Sequence, residues 1–350
     1  MTKTADMNHG LHLLRGICAV GIAVYHFLAW NDSHVFRSLG TFGVYTFFIL
    51  SALTMSMVYF GHFSEGISRS HLLSFYRNRF ARIVPLLATV TLGFSAYQVL
   101  RGRADIGNLA QAILQGSGLF GLHLPGFLGL TAGAWTIGIE VMFYAVFPVV
   151  ALLGFTTRLR NLGVTILVLI GAQQLLFLTL PEPEAREFWW QYTTNLMFAP
   201  FFAIGIYLFR TAKTDQRPIF LAGTFGLFFI MAAYSTVFDI EPFDGGWHYL
   251  ALTGISALAV MSAYRSHVPA WLQPVSVYLG NISYSLYLTH WIAYRAVRSI
   301  DAPALKFTAF ALCSLAIATA LFYFLESPAR RALRARQDKT TPASLSPATL

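Results

Sequence analysis

Residues 11–30 read LHLLRGICAVGIAVYHFLAW, and this stretch decides the fold. An apolar run of this length, taken as helix, spans the hydrocarbon core of a bilayer. Arg15, its one formally charged residue, and His26, an imidazole deep in the run, stand eleven positions apart. Eleven positions is close to three helical turns, so both side chains share a face, about 16 Å apart along the axis. The spacing predicts a cation near one membrane boundary and an imidazole near the bilayer middle. A charged group at that depth costs roughly 2.5 kcal/mol or more and is retained mainly where it serves a function. His26 is the first candidate for chemistry.

The rest of the chain repeats the apolar theme. It has 350 residues, 56% hydrophobic and 11% charged, with mean hydropathy +0.59. A soluble domain carries about 25% charged residues. We expect an all-α polytopic transmembrane bundle over residues 1–336 and a short disordered cytoplasmic tail over 337–350, rich in Thr, Ser and Pro. The first run is too long, and lacks the small-residue cleavage pattern, to be a removable signal peptide. Cys18 and Cys313 both sit in apolar runs, with no disulfide framework and no metal spacing, and read as small core residues. The net charge of +9 is what cytoplasmic loops of a membrane protein supply, so it does not point to nucleic acid.

Apolar runs near 11–30, 41–60, 83–100, 130–154, 162–180, 193–209, 218–238, 247–264, 274–297 and 304–325 predict about ten spans. An even count puts both termini on one side. That side would carry most of the basic residues, from Lys3 and Arg15 through Arg69–Arg82, Arg158, Arg160, Arg210, Lys213, Arg217 and Arg265 to Arg330–Lys339. The opposite loops hold acids such as Glu182, Glu184, Glu187, Asp239, Glu241 and Asp244. The positive-inside rule therefore predicts N-in, C-in. Residues 105–128, half apolar and glycine-rich, read as an outer interfacial or re-entrant segment. Trp189 and Trp190 in an outer loop read as interfacial anchors, with sugar stacking as the alternative.

Several polar residues stand out inside the apolar runs. HLLSFYRNRFARIVP, residues 71–85, gathers Arg77, Arg79 and Arg82 at the cytoplasmic entrance of the third span. Arginines at helix ends snorkel and fix topology. Three in six residues, on the same side as Arg15, exceed that need, and guanidinium groups suit bidentate phosphate binding. A cytoplasmic ligand bearing several phosphates, such as a coenzyme A thioester, fits. The fourth span places Glu140 one turn from Tyr144, with Trp135 ahead of them. A buried carboxylate there must be hydrogen-bonded, ion-paired or protonated. In the ninth span Ser283, Tyr287 and His290 form one polar stripe, with Tyr284 beside it, which either packs helices or lines a cavity. Glu326 with Arg330 and Arg331 reads as a structural ion-pair cluster.

In this order the pieces resemble the integral-membrane acyltransferase 3 family, from about Leu11 to Arg331. The resemblance is carried by Leu14, Arg15, Gly16, Ala19, Val20, Tyr25 and His26 in the first helix. It continues through Gly43, Val44, Phe47, Phe48 and Ser51, then the RxR pattern at Arg77 and Arg79 with Arg82 and Pro85 following. Trp135, Glu140, Phe143, Tyr144 and Pro148 match the next pattern. Ser283, Tyr284, Tyr287, Leu288 and His290 follow, with Glu326 and Pro328 last. Two positions depart: Tyr45 stands where that family often has Asp, and Ala52 where it often has Gly. We see no appended secreted hydrolase-like domain of the kind some members carry.

The resemblance implies transfer of an acyl group, usually acetyl, from cytoplasmic acyl-CoA to a hydroxyl of a carbohydrate or glycolipid, in a bacterial inner membrane and without a metal. Arg15, Arg77, Arg79 and Arg82 would hold the donor phosphates. His26 would act as general base or acyl carrier, with Glu140 as its catalytic partner. Trp135, Tyr144, Tyr284, Tyr287 and His290 would line the substrate cavity or orient His26. The rival reading is a transporter of an anionic solute with a His26–Glu140–His290 proton relay. Against it, no repeat relates two halves of the chain.

Overall fold

The computed structural model describes residues 7–33, 35–103, 106–123, 131–180, 191–212, 218–238 and 246–334. Within them the regular structure is helical: α1 (His9–Ala29), α2 (Ser38–Phe63), α3 (Arg69–Leu100), α4 (Ile106–Gly116), α5 (Phe120–His123), α6 (Ala134–Thr156) and α7 (Leu159–Thr179). The second half holds α8 (Asn195–Thr211), α9 (Pro218–Val237), α10 (Gly246–Tyr264), α11 (Gln273–Val297) and α12 (Pro303–Leu321). A π-helical turn, Phe322–Glu326, then joins α12 to α13 (Ser327–Leu333).

Local chemistry sets these limits. The Asn8 side chain accepts from the backbone N–H of Leu11 and Ser68 accepts from that of His71, satisfying the orphan donors of α1 and α3. Pro stands in the first turn of α11 and α12, where its missing N–H costs nothing.

Among the described residues, α1, α2, α3, α6, α7 and the continuous α12–α13 unit are six helices long and apolar enough to cross a membrane. α8 and residues 222–234 of α9 are shorter apolar helices. The expected α10 and α11 spans are present as helices. α11 buries Ser276, Ser283, Ser285, Thr289 and His290 inside the bundle, which lowers its apolarity. In contrast α7 turns Leu167, Leu175 and Leu178 outward, as a helix facing acyl chains does. The 105–128 stretch forms α4, packed on α3, and α5, packed on α6; Gln115 Nε2 donates to Thr91 and Thr131 Oγ1 at 3.1 and 3.0 Å. Its residues 105 and 124–128, the Trp189–Trp190 pair and the 337–350 tail lie outside the described residues.

α2 runs through the middle of the bundle, touching α1, α3, α6, α8, α9 and α10. Both departures from the family pattern lie on it and both are packing solutions. Tyr45, buried, stacks on Phe201 at 4.3 Å and meets Tyr249 edge-on at 5.1 Å. Ala52 faces Gly205 of α8, where an added Cβ would stand 2.6 Å from the alanine methyl.

α1 and α11 form the closest pairing, and glycine makes it possible. A Cβ on Gly16 would stand 2.4 Å from that of Leu279, and one on Gly280 would stand 2.5 Å from His12 Nδ1. Small residues let two backbones approach in this way where lipid supplies no hydrophobic drive. The helices run parallel: Ser276 Oγ donates to the His9 carbonyl near one end, and Tyr294 OH donates to the Trp30 carbonyl at the other. That register sets His26 opposite His290.

Candidate active site

The two ends of α1 carry two groups of polar side chains. At the Arg15 end, α3 brings Arg79 and Arg82 inward. The Arg79 guanidinium lies over the rings of Tyr59 and Tyr144, at 5.4 and 5.5 Å, and its Nε is buried without a hydrogen-bond partner. Glu140 of α6 accepts from Ser51 Oγ at 2.8 Å and from Tyr144 OH at 2.5 Å. Arg15 lies within electrostatic reach of Arg79, Arg82, Glu140 and Tyr144, and makes no hydrogen bond among the described residues. The hydrogen-bonded alternative for Glu140 is the one realised.

Arg82 is differently placed. Its Nη1 donates to Glu326 Oε1 at 2.9 Å, while Ser285 Oγ donates to Glu326 Oε2 at 2.7 Å. The expectation that Glu326 pairs with Arg330 and Arg331 is therefore corrected. The π-helical turn directs Glu326 inward, 2% exposed, while its neighbours Tyr323 and Phe324 are 56% and 85% exposed. Arg331 instead donates to Ser327 Oγ. Arg77 points away from the cluster and donates from Nε to the Leu333 carbonyl at the end of α13. Tyr284 OH bonds the Ile83 carbonyl at 2.9 Å, with Arg82 over its ring at 5.7 Å, tying α11 to α3.

At the other end, His26 Nδ1 lies 3.0 Å from His290 Nε2 and 3.1 Å from the Ile22 carbonyl. His290, fully buried, turns Nδ1 to the Tyr287 carbonyl at 2.8 Å and the Leu286 carbonyl at 3.3 Å. Among the described residues His26 Nε2 has no hydrogen-bond partner. Since α1 stops at Ala29, His26 occupies its last turn rather than the middle of the span.

Trp30 covers the pair, stacked on His26 at 5.1 Å and on His290 at 5.6 Å. Sequence reasoning passed over Trp30, although an aromatic four residues beyond a candidate histidine falls on the same helical face. Tyr287 fixes the height of α11 against α6: its OH donates to the Gly133 carbonyl at 2.9 Å and pairs with Thr136 Oγ1 at 2.6 Å. Gly133 has φ +79°, and a Cβ there would stand 2.6 Å from the Tyr287 oxygen, so only glycine fits. Trp135 lies apart from both groups, against Tyr192 and Phe198 at 5.8 and 5.6 Å.

Arg15, a cation with spare donors, thus shares one helix with an imidazole that has a spare nitrogen. Residues 8–326 match the family described as Acyltransferase domain. A Staphylococcus aureus (strain COL) protein provisionally named an O-acetyltransferase is 24% identical over 94% of this chain and 59% of its own length. The O-acetyltransferase OatA of Staphylococcus aureus (strain NCTC 8325) is 22% identical over 92% of this chain and 57% of its own length. The chain spans less than two thirds of either relative. No solved structure matches it. With nearly the whole chain matched, the protein belongs to the acyltransferase-domain family.

Proposed function

We propose that the protein is a membrane-embedded O-acyltransferase that moves an acyl group, acetyl in the first instance, from acyl-CoA to a carbohydrate hydroxyl. The carrying observation is the unpartnered Nε2 of His26, held in a hydrogen-bonded pair on the same helix as Arg15. Family membership and the O-acetyltransferase names of the relatives support the reaction class. The ten-helix count with N-in, C-in topology, and a bacterial inner membrane, complete the reading.

Arg15 and Arg79 have guanidinium donors to spare and would take the donor phosphates, since such groups match phosphate bidentately. Arg82 is already neutralised by Glu326 and contributes field and shape; Arg77 guards the mouth through α13. About 16 Å of α1 separates Arg15 from His26. The pantetheine arm of CoA is a chain of comparable reach, so phosphates at one end deliver the thioester to the other. His26 then takes the acceptor hydroxyl's proton as the oxygen attacks the thioester carbonyl, and the thiolate leaves. Glu140, through Ser51 and Tyr144, holds the ring over which Arg79 lies. Tyr284 ties α11 to α3 and Tyr287 ties it to α6, which holds the two ends in register.

The test is acetyl-CoA labelled in the acetyl group, given to protein in liposomes together with membrane glycans. Wild type binds saturably and leaves label in alkali-labile esters on carbohydrate; His26→Ala binds the donor and transfers nothing. Folded protein that does not bind the donor sinks the reading. Solute uptake that survives His26→Ala would install a transporter in its place.

A further inference from the structure

Carbonyl oxygens carry no proton, so an imidazole nitrogen within hydrogen-bond distance of one must be the N–H. This fixes His290 first. Its Nδ1 faces the Tyr287 and Leu286 carbonyls, so Nδ1 is protonated and, in the neutral ring, Nε2 holds the lone pair. His26 Nδ1 stands 3.0 Å from that lone pair and 3.1 Å from the Ile22 carbonyl, and both neighbours are acceptors. Hence His26 Nδ1 carries the hydrogen, shared between them, and His26 Nε2 is bare.

The opposite assignment fails twice. A proton on His290 Nε2 would make that ring an imidazolium, with no carboxylate bonded to either ring among the described residues. It would also set the bare Nδ1 of His26 against the Ile22 carbonyl, lone pair to lone pair.

We propose that His290 is a positioning residue that fixes the tautomer of His26, leaving His26 Nε2 as the base for the acceptor hydroxyl. The inference rests on the acyltransferase reading above. The role is the one a carboxylate fills behind a catalytic histidine elsewhere, holding tautomer and ring angle. A neutral imidazole does it here without a buried negative charge, which an apolar interior penalises. The step balances. The acceptor O–H bond breaks and its proton goes to His26 Nε2, while the oxygen bonds the thioester carbon and the C–S pair leaves with sulfur. The His26 imidazolium returns that proton to the thiolate, giving the free CoA thiol and a neutral ring. With no carboxylate bonded to it, the imidazolium has reason to give the proton up.

The experiment is nitrogen NMR of 15N-histidine-labelled protein in liposomes, with His26 signals identified by their loss in His26→Gln. The expected wild-type spectrum has His26 protonated at Nδ1 and bare at Nε2. His290→Gln keeps an acceptor near the same place and so keeps the tautomer. His290→Phe removes the acceptor and yields a mixture of tautomers. Acyl transfer runs in parallel: kcat falls on the order of 100-fold in His290→Phe with donor affinity unchanged, and His290→Gln recovers most of it. A wild-type His26 protonated at Nε2, or His26 signals unmoved in His290→Phe, overturns the proposal. The expected tautomers without transfer to any glycan would support the positioning and count against the enzyme reading alone.

Discussion

The two ends of α1 solve opposite problems with the same backbone. The Arg15 end concentrates charge, and two carboxylates near it are already engaged: Glu326 by Arg82 and Ser285, Glu140 by Ser51 and Tyr144. At the His26 end two imidazoles, linked at 3.0 Å under a stacked indole, bond to no carboxylate among the described residues. Spare donors remain on Arg15 and Arg79, and a spare acceptor remains on His26. A site that binds an anion needs the first; a site that takes a proton needs the second. The division says which end binds and which reacts.

The sharpest way to break that division is at the reacting end. His26→Ala should lower transfer by about 10²–10⁴-fold, the range of a lost general base, while leaving donor affinity within a factor of two or so. Isothermal titration with acetyl-CoA beside a transfer assay separates the two. A comparable loss of binding would mean that both ends hold the donor.

Next in size is the ion pair that borders the binding end. Glu326→Gln leaves the Arg82 guanidinium without its counter-charge, and breaking a buried pair from one side costs about 3–5 kcal/mol. The thermal midpoint in detergent should fall clearly, and Arg82→Gln/Glu326→Gln should recover part of the drop. A midpoint unchanged by the single variant would show that Arg82 is free for ligand after all.

How far the sequence reaches follows the same division. The helices were legible because twenty-residue apolar runs are a length signal, and their limits fall close to the predicted ones except in α3, which starts at Arg69 rather than 83 because its first turns are polar. His26, Glu140 and the arginines were legible because polarity inside such runs is conspicuous. Partnership was not. Glu326 lies next to Arg330 and Arg331 in the chain, yet a π-helical turn rotates it toward Arg82, 244 positions away. The His26–His290 pair depends on Gly16 and Gly280 letting α1 and α11 close, which no single-helix pattern encodes. Trp30 drew no notice because its stacking partner His290 lies 260 positions on.

At the binding end, Arg79→Ala should weaken acetyl-CoA by about 10–150-fold, the 1.5–3 kcal/mol of a hydrogen bond to a charged group. The kcat at saturating donor should change little, because Arg79 is distant along the fold from the imidazole pair. Arg77→Ala, whose Nε is already committed to the Leu333 carbonyl, should weaken the donor less. Equal losses from both would mean that the phosphates sit at the mouth rather than between Arg15 and Arg79. Dephospho-CoA as a second titrant sharpens this, since the variant that reads the missing phosphate loses its disadvantage there.

The smallest effect belongs to the hinge between the two ends. Tyr287→Phe deletes the bonds to the Gly133 carbonyl and Thr136 Oγ1 and leaves the ring in place. One neutral hydrogen bond is worth about 0.5–1.5 kcal/mol, so the thermal midpoint should move only slightly. Tyr287 also supplies the carbonyl that His290 Nδ1 donates to, one turn before it on α11. If the hydroxyl sets the height of α11, the variant lowers kcat several-fold while donor affinity and stability hold. If stability alone moves, the hydroxyl is only a tie between helices, and the height of the histidine pair is set by the glycine contacts of α1 with α11.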